Sequence, residues 1–141
     1  MLKGIPNILS PELLKILTEM GHGDEIVIAD GNFPAASHAQ RLVRCDGLGA
    51  PQLLDAILQL FPLDTFAKPA ALMSVVPGDN YNPDIWPTYK KMIQKHEPRF
   101  ADFEMMERHA FYDRAKKACA IVATGELARY ANLILKKGLV S

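Results

Sequence analysis

Three short, almost wholly apolar segments constrain this chain most: Ile26-Val27-Ile28-Ala29, Ala71 to Val76 and Cys119 to Thr124. Runs of four to six such residues suit a strand covered on both faces, because an exposed face would show alternating polar residues. Between them lie stretches with helical spacing, such as Leu13, Leu14, Leu17 and Met20, and Leu53, Leu54, Ile57, Leu58 and Phe61. Helical patterns alternating with buried strands predict a layered α/β fold, a three-layer α/β/α arrangement around a mostly buried sheet. A chain of 141 residues has room for one sizeable core and not two, so residues 1–141 are expected to form a single domain.

Local signals place the elements. Ser10 before Pro11 and Glu12 starts a helix running to Met20, since the serine hydroxyl accepts an orphan N–H and proline tolerates the first turn; Gly21 ends it. Further strands are expected at Arg41 to Cys45, Phe103 to Met106 and Asn132 to Leu135. Further helices are expected from Pro51, from Ile85 to His96 with Pro87 in the first turn, and from His109 to Ala118. Gly78-Asp79-Asn80 and Asn82-Pro83 form a loop rich in turn residues, the kind of segment that carries function.

Several function classes are disfavoured. Sixteen basic and sixteen acidic residues cancel without forming a like-charged block, so neither nucleic acid nor an anionic membrane is an expected partner. Met1 to Leu9 has no apolar signal core and the apolar runs are too short to span a bilayer, which makes a soluble, non-secreted protein the expectation. Cys45 and Cys119 stand apart and His22, His38, His96 and His109 are scattered, so no metal is expected. Gly47-Leu48-Gly49 lacks the rest of a phosphate-binding loop, and no serine sits in a nucleophile elbow.

What remains is a set of polar residues at the ends of apolar elements, where open α/β sheets form ligand crevices. Position alone leaves each of them with two readings. His22 follows a helix and reads first as a cap for its last carbonyls, second as a proton-transfer group. Asp30, before Gly31-Asn32, reads equally as an Asx-turn residue and as a ligand contact. Tyr130 and Asn132 read first as edge-strand residues.

Longer strings narrow the choice. Gly21-His22-Gly23-Asp24-Glu25, then Asp30-Gly31-Asn32-Phe33-Pro34-Ala35, resemble the fucose mutarotase and ribose pyranase family. Arg44-Cys45-Asp46-Gly47-Leu48, Pro62-Leu63-Asp64-Thr65, Phe111-Tyr112-Asp113-Arg114-Ala115, Thr124-Gly125-Glu126 and the closing Tyr130 to Gly138 segment extend the likeness, in order, and are similar to its fucose branch. The resemblance implies a ribose-pyranase-like fold, interconversion of the α and β anomers of L-fucose or a similar free hexose, and a cytoplasmic location. It further implies a homo-oligomer built from rings, often a decamer, and no cofactor. It assigns His22 as the catalytic histidine and Asp30, Asp64, Arg108, Tyr112, Tyr130 and Asn132 as sugar contacts. Two positions depart from the family pattern: Ala131 stands where glycine is common, and His109 where phenylalanine is common.

These residue types suit the reaction. Opening a cyclic hemiacetal needs a proton given to the ring oxygen and another taken from the anomeric hydroxyl, and histidine exchanges protons near neutral pH. On this reading His22 donates, Asp30 orients His22 or a sugar hydroxyl, and Tyr130 serves the second transfer. A neighbouring subunit is expected to complete the pocket, because one small domain offers little depth around a sugar. Two rivals stand: a non-catalytic sugar-binding accessory of a transport or utilisation system, and a ribose-type pyranose/furanose isomerase.

Overall fold

A computed structural model describes all 141 residues. The chain runs α1 (Pro11–Glu19), β1 (Glu25–Ala29), α2 (Ala35–His38), β2 (Leu42–Cys45), α3 (Ala50–Leu58), β3 (Ala70–Met73), α4 (Ile85–His96), β4 (Glu104–Met106), α5 (Arg108–Lys117), β5 (Ala120–Thr124) and β6 (Leu133–Lys136). One six-stranded sheet has the order β2-β5-β1-β6-β3-β4. Strand β6 is antiparallel to both its neighbours, while the other pairings are parallel.

The buried strands sort their side chains by parity, as the pleat requires. Ile26, Ile28, Val122 and Leu133 face the larger cluster under α1, α3 and α4, with Leu13, Leu53, Leu54, Ile57, Tyr89 and Ile93. Val27, Ala29, Ile121 and Ile134 face a smaller cluster under α2 and α5, with Phe33, Phe111 and Ala115. The three layers expected from the sequence are therefore present. Phe111 is fully buried and meets Phe33 edge to face at 6.0 Å. Phe111→Ala is expected to cost about 3–5 kcal/mol, read as a lower urea midpoint at fixed protein concentration.

The α1 start follows the sequence reading, with the Ser10 hydroxyl accepting from the Leu13 amide at 3.1 Å. The main differences lie at strand ends. The strand expected through Val76 stops at Met73, and residues 74–77 leave the sheet. Helix α2 had no sequence signal, being one turn long and too short for a periodic stripe. The terminal strand begins at Leu133 and lies in the interior of the sheet, which corrects the edge-strand reading of Tyr130 and Asn132.

One topological feature positions the polar residues at the end of β1. The connection from Thr124 to Leu133 contains no helix to carry the chain back along the sheet, so β6 starts where β5 ends and runs the opposite way. Tyr130 and Asn132 thus sit beside Asp30, at the C-terminal end of β1. Gly125 is required in that connection, because a Cβ there would run into the Asp46 carbonyl. Residues 136–138 return to the other end of β1, where the Gly23 amide donates to the Lys137 carbonyl at 2.8 Å.

Candidate active site

Five of the seven residues singled out in the sequence converge on one cavity of about 250 Å³: Asp30, Arg108, Tyr112, Tyr130 and Asn132. Phe33, Met73 and Val76 supply apolar wall. The volume suits a single small ring rather than an extended ligand. Larger hollows, among them one of about 470 Å³ beside Asp64 and Phe66 and one of about 440 Å³ between Asp30 and α2, do not gather this set.

Asp30 is 8% exposed; its Asx-turn reading holds, and the residue also lines the cavity. Its Oδ1 accepts from the Asn32 amide at 3.0 Å as an Asx turn, while its own amide donates to Asn132 Oδ1 at 2.8 Å. Burial pushes its carboxyl above the ordinary value, against hydrogen bonds from Asn32, Phe33, Ala131 and Asn132 that pull it down. The Asp30 to Asn132 bond fastens the end of β1 to the start of β6.

Tyr130 is the one non-glycine residue with positive φ, at 58°, a strained setting of the kind that clusters at functional sites. Two aromatic side chains one turn apart on α4 hold it. Trp86 Nε1 donates to the Tyr130 carbonyl at 2.8 Å, and the Tyr89 hydroxyl donates to the Ala131 carbonyl at 2.7 Å. Burial raises the Tyr89 phenol well above its usual range, which keeps it a donor. Neither residue was a sequence candidate; their i, i+3 spacing with polar tips on an otherwise apolar face was the available signal.

The two family departures have different consequences. Ala131 is fully buried and packs into the larger cluster, so its methyl group does not narrow the cavity. His109 is exposed and meets Tyr112 edge-on at 6.3 Å, placing it behind the cavity wall. His38, on α2, meets the same tyrosine at 5.5 Å.

His22 and Asp64 form a second group, away from this cavity. His22 Nε2 lies 3.1 Å from Asp64 Oδ1, with the histidine side chain 40% exposed and its ring 5.4 Å from that of Phe66. Burial raises the Asp64 carboxyl, but hydrogen bonds from the Phe66 amide and from His22 outweigh it and hold the group below its ordinary value. His22 precedes β1 and Asp30 follows it, so they occupy opposite ends of a five-residue strand that spans roughly 16 Å. This corrects the expectation that Asp30 orients His22: within one chain that place belongs to Asp64, and Asp64 is not in the cavity.

The capping reading of His22 also fails. Lys137 Nζ takes the last α1 carbonyls, donating to Leu17 at 2.7 Å and Met20 at 2.5 Å. An exposed imidazole held by a buried carboxylate, with no duty to the helix beside it, is free to meet something outside its own chain.

The model of the RbsD / FucU transport protein family matches residues 3–140. The chain belongs to this family. Among its relatives is a fucose mutarotase from Danio rerio, 50% identical, with 99% of this chain and 94% of that protein covered. The crystal structure of the fucose mutarotase in complex with L-fucose from Streptococcus pneumoniae superposes with a TM-score of 0.94 at 55% identity, covering 99% of this chain and all of that one. The structure of Bacillus subtilis RbsD complexed with D-ribose has a TM-score of 0.74 at 23% identity, which shows a common family fold.

Proposed function

We propose that this protein is an L-fucose mutarotase, an isomerase that interconverts the α and β anomers of the free sugar by opening and closing its ring. The observation that carries the reading is the family's L-fucose-bound structure, similar over nearly the whole chain, taken with a cavity here that gathers Asp30, Arg108, Tyr112, Tyr130 and Asn132.

Asp30, carboxylate inward and locked to Asn132, holds sugar hydroxyls together with Arg108 and Tyr112. His22 gives a proton to the ring oxygen, while a base takes the anomeric proton. The C1 carbonyl of the open chain then turns and the ring recloses on its other face. A positioned acid or base contributes on the order of 10²–10⁴-fold to such a step. Asp64 orients the imidazole, as a buried carboxylate does for a proton-shuttling histidine.

Because His22 and the cavity lie at opposite ends of β1, the complete site takes His22 and Asp64 from one copy of the chain and the cavity from a second. The exposed His22 ring and the 77% exposed Phe66 beside it support such a contact. The protein is accordingly a homo-oligomer, with a ring-built decamer as the expected form and the cytoplasm as its expected location. No helix is long and apolar enough to cross a membrane.

Saturation-transfer NMR tests the activity directly. Irradiating the α anomeric proton of L-fucose with catalytic protein present is expected to attenuate the β signal, with a weaker effect on D-ribose. Binding without magnetisation transfer would establish the sugar-binding accessory instead, and faster exchange of ribose ring forms would establish the pyranase.

A further inference from the structure

The Tyr130 hydroxyl already has partners. It donates to Asp79 Oδ2 at 2.6 Å and accepts from the Val76 amide at 3.3 Å. Asp79 belongs to the 77–83 loop behind the cavity wall and is fixed on both sides. Its Oδ1 accepts from the Tyr81 amide at 2.9 Å, and its Oδ2 also accepts from Arg129 Nη2 at 2.6 Å. The Arg129 guanidinium lies 4.5 Å from the centre of the Tyr81 ring and 5.6 Å from that of Tyr130, and the two rings stack at 6.1 Å. The Tyr130 hydrogen bond, the Tyr81 amide and the Arg129 charge together hold the Asp79 carboxyl below its ordinary value.

Polarity follows from hydrogen counting. An ionised carboxylate has no proton to give, so the phenol must spend its only proton on Asp79. Of its two lone pairs, one receives the Val76 amide. The other is unspent on a residue that, with Val76 and Arg129, lines the sugar cavity.

We propose that Asp79 is a positioning residue for mutarotation: by holding the Tyr130 proton on the loop side, it presents the phenolic oxygen to the sugar as an acceptor. The inference rests on the mutarotase reading. In ring opening the anomeric O–H breaks and its proton goes to Tyr130 Oη, while the phenol's own proton moves to Asp79 Oδ2. The freed electron pair forms C1=O; the C1–O5 pair leaves on the ring oxygen, which takes a proton from His22. Reclosure on the other face reverses each transfer and restores both residues.

Asp79→Asn separates this role from simple anchoring of the loop. Asparagine has the same shape but one acceptor atom. If that oxygen keeps the Tyr81 amide, an NH₂ group faces Tyr130 and forces the phenol to accept, turning its proton toward the sugar. Asp79→Asn and Asp79→Ala are both expected to lower the L-fucose exchange rate at saturating sugar by about tenfold or more, with KM little changed. In a Tyr130→Phe background neither should lower it further, since coupled residues are not additive. A wild-type rate in folded Asp79→Asn, or an equal loss with and without the Tyr130 hydroxyl, overturns the inference. No exchange above the spontaneous rate with the unaltered protein overturns the mutarotase reading itself. Should Asp79→Ala fail to fold, the asparagine variant carries the test.

Discussion

His22→Asn is expected to leave a folded protein that still binds L-fucose but exchanges its anomers on the order of 10²–10⁴-fold more slowly. The side chain is 40% exposed, and its one polar contact is Asp64. Asp64 does not depend on it: its Oδ1 also accepts from the Phe66 amide at 3.1 Å, so it keeps a hydrogen bond when the imidazole is gone. Nothing in α1 relies on the ring, because Lys137 holds those carbonyls. Saturation transfer gives the rate, ligand-induced shifts give the binding, and sedimentation confirms that the assembly persists. A folded variant with its rate within twofold of the original would remove His22 from the mechanism.

The second large effect is a recovery. Asp30→Asn should be as inactive as His22→Asn, since it changes the buried carboxylate that lines the cavity. Co-expressed in equal amounts, the two inactive chains are expected to regain about a quarter of the original activity, because random mixing in a closed oligomer pairs an intact His22 with an intact cavity in one site of four. A single-chain site would give no such recovery, since each chain then carries a broken residue in its own site. Mixed oligomers isolated through two different tags and found inactive would therefore sink the composite site.

The element pattern was largely legible because it depends on local physics. The continuous apolar runs became β1, β3 and β5, and the serine-proline start became the α1 cap, since strand burial and orphan amides act within a few residues. The candidate residues were legible through resemblance more than chemistry. Position alone gave His22 and Asp30 two readings each, and Asp30 both makes the Asx turn and lines the cavity. Trp86, Tyr89 and Arg129 went unnoticed, and Asp79 was read only as part of a turn-rich loop, because each acts at long range in sequence, by 42 to 51 residues in the case of the contacts that Trp86, Tyr89 and Asp79 make around Tyr130 and Ala131.

What the sequence determined by itself was the class of fold, the order of its elements and the residue types able to move protons. Burial pattern and capping are read within a window shorter than one helix, so they survive without coordinates. Which polar residues meet was decided only in three dimensions, by the direction of one strand. A helix-free connection turns β6 back along β1, which carries Tyr130 and Asn132 to Asp30 and leaves His22 with Asp64 at the far end. Strand direction depends on how a connection crosses the sheet, a non-local property that no run of neighbouring residues encodes.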